Sequence, residues 1–458
     1  MRSVVVARHE TRSRATSLLD RASSGLWGSQ GGLFTHHAKG GHLRTTASAT
    51  TKARASSRLL STAAAAATRT LNDDALFARE AHRWDPQVPI ERATTPPASW
   101  YTSPEVFRRE APLVFHRGWQ QVGRTEQVKD AGQYFTGELL GEPYVVVRDQ
   151  EGQLRAFFNV CRHHASKVAT GEGCKSELVC PYHGWTYQLD GRLRVAPRVG
   201  GIKEFKPKEN GLVPIQVIEW GRWIFINIDS SSDTDLHEEL KPLEDVLEST
   251  QYRKLEYMCT RNYKVKSNWK VYVDNYLDGG YHVSVLHKTL NAQLDASQYS
   301  TQVHGRWSLQ SCQGTNNQME EQLLQERVGK QGAHYAFLYP NFMINRYGNL
   351  MDTNRAIPIS VDETLVQFDY FMLKDGDTDQ ENQTKKEMVK ALPESLEASI
   401  RISDGIQDED AWVSEMVQQG LNSRAYDVGR YAPQVETAAY AFHQLLASDF
   451  RHGLQPSQ

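Results

Sequence analysis

The sequence predicts an α+β fold, in which a small antiparallel β-domain precedes a larger α+β domain whose antiparallel sheet is flanked by helices. Three observations predict this arrangement. Residues 119–229 are rich in short apolar runs and tight-turn signals, residues 230–233 (SSSD) form a polar boundary, and residues 240–450 mix helical with strand-like patterns. A chain of 458 residues is long enough for two or three domains with sizeable cores.

The first 70 residues differ in composition from the rest of the chain. Residues 1–60 hold eight Arg and two Lys against one Glu and one Asp, a balance of +8, and an alanine run follows at residues 63–67. Ser, Thr, Ala and Arg with few acids are typical of an organelle transit peptide. We therefore interpret residues 1–70 as a transit peptide, with a disordered basic tail as the alternative.

The folded body is expected to begin after a linker. Residues 94–97 (TTPP) are typical of an extended segment, so residues 71–100 are predicted to be a linker. Ser103 and Pro104 then predict the start of a helix, with an N-cap followed by proline at the first position. We assign residues 101–235 to the β-domain, with this N-terminal helix belonging to the second domain, and residues 236–450 to the second domain.

The elements of the β-domain follow from its turns. Residues 144–148 and 154–158 are short apolar runs separated by residues 149–152 (DQEG), which predicts a hairpin. Residues 190–191 (DG) are a second tight-turn signal, and residues 223–228 read as a buried strand. A small antiparallel sheet satisfies all of these signals.

The second domain mixes its elements. Residues 236–247 are predicted to be helical, residues 365–373 to be a strand, and residues 435–450 to form a long amphipathic helix. No run of 18 apolar residues occurs, so no membrane span is predicted. The net charge of −3 for the whole chain leaves −11 beyond residue 60, which argues against a nucleic-acid partner.

Two cysteines and two histidines form the first candidate metal site. Cys161 and His163 are one pair, and Cys180 and His183 follow as a second pair after sixteen intervening residues. A Rieske [2Fe–2S] cluster binds two thiolates on one iron and two imidazoles on the other, so each of two loops must supply one Cys and one His. Structural zinc sites more often pair Cys with Cys and His with His, which makes zinc the weaker alternative. The pattern therefore predicts a Rieske cluster.

Two further histidines, His282 and His287, are candidate ligands of a second metal site. Residues five apart are rotated by about 140° past a full helical turn, so both side chains reach one metal only if the helix is distorted or ends there. Gly279 and Gly280 provide the backbone freedom for such a break. Two His and one carboxylate on one face of an iron(II) ion leave coordination positions open for O2.

The carboxylate ligand is expected from the acidic cluster at Asp408, Glu409 and Asp410. Taken alone, such a cluster is more often a solvated helix face. The residues themselves do not decide between Asp408 and Asp410.

The sequence resembles the α-subunits of Rieske non-haem iron oxygenases, and within that family the plant-type choline monooxygenase branch. The resemblance extends from about residue 100 to residue 450. The segments that carry it are residues 100–105 (WYTSPE), 133–137 (QYFTG), 180–185 (CPYHGW), 274–282 (DNYLDGGYH), 338–347 (LYPNFMINRY) and 425–431 (AYDVGRY).

The resemblance implies two metal centres, a Rieske [2Fe–2S] cluster and a mononuclear Fe(II). Their expected ligands are Cys161, His163, Cys180 and His183 for the cluster, and His282, His287 and Asp410 for the iron. Asp410 is preferred to Asp408 because the ligand of the family ends a similar acidic triplet.

One position departs from the family pattern. Many members carry a carboxylate three residues before the first iron histidine, where it bridges to a Rieske histidine of the neighbouring subunit. That position is Gly279 here. Asp278, one residue earlier, or alternatively Asp274, is expected to take this catalytic role.

The resemblance also implies partners and a location. Reduced ferredoxin is expected to supply electrons and O2 to be the oxidant, and the transfer of electrons between subunits implies a homo-oligomer, expected to be a trimer. The transit peptide would then direct the chain to the chloroplast stroma, with the mitochondrial matrix as the alternative.

The implied reaction is hydroxylation of choline to betaine aldehyde hydrate, the first step of glycine betaine synthesis. A quaternary ammonium group cannot donate hydrogen bonds, so aromatic faces are expected to hold it by cation–π contact. The aromatic candidates are Tyr281, Phe337, Tyr347 and Trp412. One alternative is a different quaternary amine or an aromatic ring as substrate, and another is a Rieske electron carrier without oxygenase chemistry.

Overall fold

The computed structural model describes residues 73–229, 234–291, 294, 296–313, 332–348, 350–373 and 385–454. The predicted transit peptide, residues 1–70, lies outside these described residues. Within them, the predicted α+β architecture is confirmed, because an antiparallel β-domain precedes a domain in which helices pack beside an antiparallel sheet.

The first domain is a β-domain. Its strands are β1 (Gln120–Arg124), β2 (Gln133–Leu139), β3 (Glu142–Arg148), β4 (Leu154–Phe158), β5 (Glu172–Cys174), β6 (Leu178–Val179), β7 (Thr186–Tyr187), β8 (Leu193–Val195), β9 (Pro214–Trp220) and β10 (Trp223–Asn227). One sheet has the order β1-β10-β9-β4-β3-β2-β5, and a smaller one has the order β6-β7-β8. All their pairings are antiparallel.

The predicted hairpin at residues 149–152 joins β3 to β4. Its geometry is set by Asp149, whose Oδ1 accepts the backbone N–H groups of Glu151 at 3.1 Å and Gln153 at 2.7 Å. Gly152 has φ of +79°, a left-handed conformation that glycine adopts without steric cost. The predicted turn at residues 190–191 likewise joins β7 to β8.

The second domain contains a seven-stranded antiparallel sheet. Its strands are β11 (Leu255–Val265), β12 (Ser300–His304), β13 (Trp307–Cys312), β14 (Ala333–Leu338), β15 (Phe342–Tyr347), β16 (Leu350–Ser360) and β17 (Glu363–Leu373). The order across the sheet is β11-β17-β16-β15-β14-β13-β12. The strand predicted at residues 365–373 is therefore confirmed as most of β17.

The described helices are α1 (residues 73–81), α2 (Ser99–Thr102), α3 (Pro104–Glu110), α4 (Leu236–Ser249), α5 (Trp269–Tyr276), α6 (Val283–Leu286), α7 (Lys288–Asn291), α8 (Lys385–Leu421) and α9 (Thr437–His452). The predicted start of α3 is confirmed, since the Ser103 hydroxyl accepts the backbone N–H of Glu105 at 3.3 Å. The helices predicted at residues 236–247 and 435–450 correspond to α4 and α9.

The main core lies between the N-terminal helices, α5, α9 and the second sheet. Trp100 packs edge-to-face on Phe450 and Trp269 on Phe442, with ring centroids 4.9 Å and 5.8 Å apart. All four rings are at most 1% exposed. Burial of each such side chain contributes roughly 1.5–3 kcal/mol, so this cluster holds α5 rigidly behind the candidate iron site.

The prediction of a linker at residues 71–100 is wrong for the described part of that segment. Residues 73–81 are helical, and Phe77 and Trp84 are each 2% exposed within the main core. The Trp84 indole N–H also donates to the carbonyl of Thr94. Aromatic burial therefore outweighs the turn signal of the two prolines and holds this segment against the second domain.

Among the described residues, no helix combines the length and the apolar character needed to cross a lipid bilayer.

Candidate metal centres

The two predicted Cys–His pairs lie on two similar turns of the β-domain. In the first turn the N–H of Ala165 donates to the carbonyl of Cys161, and in the second the N–H of Gly184 donates to the carbonyl of Cys180, each at 3.0 Å. Ala165 and Gly184 both have positive φ, +58° and +71°. The two turns therefore present their Cys residues at equivalent positions.

The thiols and the imidazoles of this site differ in exposure. Cys161 and Cys180 are free thiols and are each 2% exposed, whereas His163 and His183 are exposed at the surface. The two imidazole rings lie 4.7 Å apart between centroids. Two buried sulfur donors beside two outward-facing nitrogen donors fit a [2Fe–2S] cluster with one buried iron and one iron near the surface.

Two aromatic residues next to the second pair support this site, and the sequence analysis did not single them out. The Trp185 ring stacks on His163 at 4.9 Å with an interplanar angle of 5°. The Tyr187 hydroxyl lies 3.3 Å from Sγ of Cys161 and accepts the N–H of Arg162 at 3.0 Å. Burial and the adjacent Cys161 raise the pKa of Tyr187, so its proton is retained and can be donated to a thiolate. Hydrogen bonds to cluster sulfurs tune the reduction potential.

The predicted break in the helix before the second site is present. Helix α5 ends at Tyr276, and both Gly279 and Gly280 have φ of +73°. His282 then immediately precedes α6, and His287 immediately follows it. The backbone leaves the helical conformation at His287, with φ of −103° and ψ of 69°, so both imidazoles can reach one side, which a continuous helix would not allow.

His282, His287 and Asp410 are brought together, although Asp410 comes from α8. Oδ1 of Asp410 lies 3.0 Å from Nε2 of His287 and 3.9 Å from Nε2 of His282. One potential ligand atom from each residue lies within 4.8 Å of the other two. Asp408, two residues earlier, is exposed to solvent. The geometry thus favours Asp410 as the carboxylate of a two-histidine, one-carboxylate iron site.

Each imidazole of the triad also contacts an outer carboxylate. Nδ1 of His282 lies 2.6 Å from Oδ2 of Asp278, and Nδ1 of His287 lies 2.6 Å from Oε2 of Glu409. A proton on Nδ1 leaves the Nε2 lone pair free for a metal. Burial alone would lower the pKa of His287, but its contacts with Asp410 and Glu409 outweigh burial and raise it. The sequence analysis missed the role of Glu409, which the run of three acids at positions 408–410 could have suggested.

The carboxylate of Asp410 is oriented by amides. The Asn275 side chain donates to its Oδ1 at 2.8 Å, and the Gln407 side chain lies 3.4 Å from its Oδ2. Gln407 in turn accepts a hydrogen bond at 2.7 Å from the hydroxyl of Tyr272. These contacts join α5 to α8 and fix the third ligand with respect to the two histidines.

Asp274, the other candidate for a bridging carboxylate, lies in a different environment. It accepts a hydrogen bond at 2.7 Å from the Tyr101 hydroxyl, and its second oxygen lies 2.9 Å from Nε2 of His443. It lines a separate cavity of about 230 Å³. Asp278, not Asp274, therefore contacts a candidate iron ligand.

The triad faces a cavity of about 120 Å³ whose lining includes several aromatic side chains. All three triad residues line it. The aromatic side chains that share the lining are Tyr272, Tyr276, Tyr299, Tyr335, Tyr347 and Phe368.

Of the aromatic residues predicted to bind substrate, only Tyr347 lines this cavity. Tyr281 is 61% exposed and faces a neighbouring cavity, and Trp412 is 58% exposed on the surface of α8. Phe337 is buried, but it packs against Phe442 in the core at 5.7 Å. The structure therefore places Tyr281, Phe337 and Trp412 outside this cavity. Closeness in sequence to the metal-binding motifs does not decide which way a side chain points.

Comparisons with known proteins identify both domains. Residues 118–206 match the family described as the Rieske [2Fe-2S] domain, and residues 252–449 match the family described as the ring hydroxylating alpha subunit (catalytic domain). The chain belongs to the Rieske non-haem iron oxygenases.

Similar proteins support the same assignment. Choline monooxygenase, chloroplastic, from Arabidopsis thaliana is 43% identical over 79% of this chain and 84% of its own length. The carnitine monooxygenase oxygenase subunit of Escherichia coli (strain K12) is 30% identical over 79% of this chain and 95% of its own. Among solved structures, the quaternary ammonium Rieske monooxygenase CntA in complex with L-carnitine has a TM-score of 0.63 at 26% identity, covering 79% of this chain and 96% of that one.

The chain is accordingly an iron-dependent monooxygenase with two cofactors, a Rieske [2Fe–2S] cluster and a mononuclear iron. The donor sets described above fit both groups. Cys161, His163, Cys180 and His183 would hold the cluster, and His282, His287 and Asp410 would hold the iron.

Proposed function

We propose that this enzyme hydroxylates choline. Choline, O2, two electrons and two protons would give betaine aldehyde hydrate and water, the first step of glycine betaine synthesis. The observation that carries the proposal is the aromatic cavity faced by His282, His287 and Asp410, which suits a quaternary ammonium group. The 43% identity with a chloroplastic choline monooxygenase supports it.

When bound, the metals would supply the electron transfer and the O2 activation that the hydroxylation needs. The chain's own residues set the geometry. Asp278 and Glu409 hold His282 and His287 in one tautomer and orientation, and Asn275 holds the carboxylate of Asp410. The aromatic side chains of the cavity would place the alcohol carbon of choline near the three ligands.

We infer that electrons cross between subunits through Asp278. His163 and His183 are exposed, so a second protein surface can approach the cluster end of the β-domain. Asp278 contacts His282 directly and would link it to a Rieske histidine of a neighbouring subunit in a homotrimer, with reduced ferredoxin as the electron donor. Mass photometry tests the trimer, and stopped-flow reduction by plant-type ferredoxin tests the donor. A stable monomer with full activity would contradict the route.

We further propose that residues 1–70 direct the chain to the chloroplast stroma. Their basic, acid-poor composition and the chloroplastic relative support this assignment. A fusion of residues 1–70 to a fluorescent protein should be imported and shortened by isolated chloroplasts. Import by mitochondria alone would favour the matrix instead.

A different quaternary amine is the alternative substrate, and the 30% identity with a carnitine monooxygenase subunit favours it over an aromatic ring. Incubation of the enzyme with reduced ferredoxin and either choline or L-carnitine separates the two. Product from L-carnitine and none from choline would overturn the proposal.

The metal assignments are tested by two substitutions. His282→Ala should abolish hydroxylation and lower the iron content from about three to about two per chain, while the visible absorbance of the cluster is kept. Cys180→Ala should remove that absorbance. Hydroxylation retained by either variant would contradict the assignment.

A further inference from the structure

The floor of the iron cavity is formed by one face of the second sheet. Tyr335 of β14 pairs with Asn345 of β15, and Asn345 pairs with Asp352 of β16. Directly paired residues on antiparallel strands project to the same side of a sheet. Asn354, two positions along β16 from Asp352, projects to that side as well, and all four residues line the cavity.

Asp352 is a buried acid in this floor, with 2% of its surface exposed. Its Oδ1 accepts hydrogen bonds from the side-chain amides of Asn345 at 2.7 Å and Asn354 at 2.9 Å. Its Oδ2 accepts one from the hydroxyl of Tyr347. These three hydrogen bonds fix the orientation of the carboxylate in the cavity lining.

Aromatic rings stand around this carboxylate. Tyr276 donates to Asn345 at 2.8 Å, and Tyr299 and Phe368 also line the cavity. Burial together with neighbouring groups, among them Asp352, raises the pKa of Tyr276 well above its ordinary value, so this ring stays neutral. Neutral rings and one fixed carboxylate together make an environment for a cation that carries no hydrogen-bond donors.

The described residues that line this cavity include no Lys or Arg. A quaternary amine that also carries a carboxylate would therefore bring a negative charge towards Asp352, with no Lys or Arg side chain in that described lining. A quaternary amine whose other end is a neutral alcohol brings no such repulsion.

We propose that Asp352 is the charge-selecting residue of the substrate site, attracting the ammonium group of choline-like cations and disfavouring carboxylated ones. This inference rests on the proposed function, since it assumes that the cavity beside the triad holds the substrate. Asp352 would act by its charge on the substrate, whereas His282, His287 and Asp410 would hold the iron.

The test compares choline with 3,3-dimethyl-1-butanol, a neutral compound of the same shape in which carbon replaces the nitrogen. Dissociation constants are measured on the metal-loaded full chain by calorimetry. The wild-type enzyme should bind choline at least ~10-fold more tightly than the neutral alcohol. In Asp352→Asn this preference should fall by ~10-fold or more, while the affinity for the neutral alcohol changes by less than ~2-fold.

Asp362→Asn is the matched control, since Asp362 is an exposed acid in the turn that follows β16. It should keep the wild-type preference. A parallel loss of affinity for both ligands in Asp352→Asn, or an unchanged preference, would overturn the role of Asp352. If Asp352→Asn does not fold, the wild-type enzyme alone still tests the inference. Equal affinities of the wild-type enzyme for choline and the neutral alcohol would refute a charge-selecting site.

The outcomes also separate this inference from the proposed function. A wild-type enzyme that neither binds nor oxidises choline refutes the proposed function. An enzyme that oxidises choline but binds L-carnitine equally well refutes the charge selection alone.

Discussion

The outer carboxylates of the triad should differ in how strongly they support the iron. Asp278 contacts His282 with a side chain that is 15% exposed, whereas Glu409 contacts His287 with a side chain that is 47% exposed. Asp278 also accepts the backbone N–H of His282 at 2.9 Å. Loss of such outer partners typically weakens metal binding by ~10- to 100-fold, and solvent screening places Glu409 at the lower end of that range.

We therefore expect Asp278→Asn to weaken Fe(II) binding by about 100-fold and Glu409→Gln by about 10-fold, or ~2.7 and ~1.4 kcal/mol. Asp408→Asn is the control, because Asp408 is an exposed acid in the same triplet and should leave the affinity unchanged. The assay is competition for Fe(II) with a chelator, using protein whose cluster is intact by its visible absorbance. Equal affinities in all three variants, or a larger loss in Glu409→Gln than in Asp278→Asn, would refute the reasoning.

Two further substitutions test the scaffold. Gly279→Ala should abolish iron binding at the mononuclear site without loss of cluster absorbance, because a Cβ there would overlap the backbone of Val435 and φ is +73°. The iron content per chain measures this loss. A normal iron content would show that the turn after α5 tolerates a side chain at this position. Lys270→Met should lower the free energy of unfolding by about 3–5 kcal/mol, since Glu110 would remain buried without its ammonium partner. Urea denaturation followed by tryptophan fluorescence measures that loss, and a change below ~1 kcal/mol would contradict the assigned burial of the pair.

All the candidate ligands except Asp410 were accessible from the sequence, because short-range spacing encodes them. One Cys and one His on each of two loops specify a Rieske cluster with little dependence on the rest of the fold. The separation of His282 and His287 required a departure from regular helix, which occurs at His287, while φ of +73° at Gly279 and Gly280 ends the preceding helical segment. Local backbone chemistry was sufficient in both cases.

The aromatic residues that line the cavity could not be predicted in the same way. Their identity depends on strand register and on which face of each strand is turned to the cavity. Tyr335 and Phe337 project from the same face of β14, two positions apart, yet Tyr335 lines the cavity and Phe337 packs on Phe442, so the position along the strand matters as well as the face. A one-residue shift of register would exchange the faces of every side chain. Long-range pairing that the local pattern does not reveal decides which aromatic residues meet the substrate.

The position of Asp410 shows how the fold supplies what local sequence lacks. It lies 123 residues after His287 along the chain, on α8, whereas both histidines follow α5. The two helices are joined by the hydrogen bonds of Tyr272 with Gln407 and of Asn275 with Asp410. Since α5 is fixed from behind by the aromatic core, these polar contacts transmit its position to the carboxylate. The iron geometry is therefore a property of the α5–α8 interface, and the acidic triplet becomes a ligand only because that interface turns its third member inward and leaves its first in solvent.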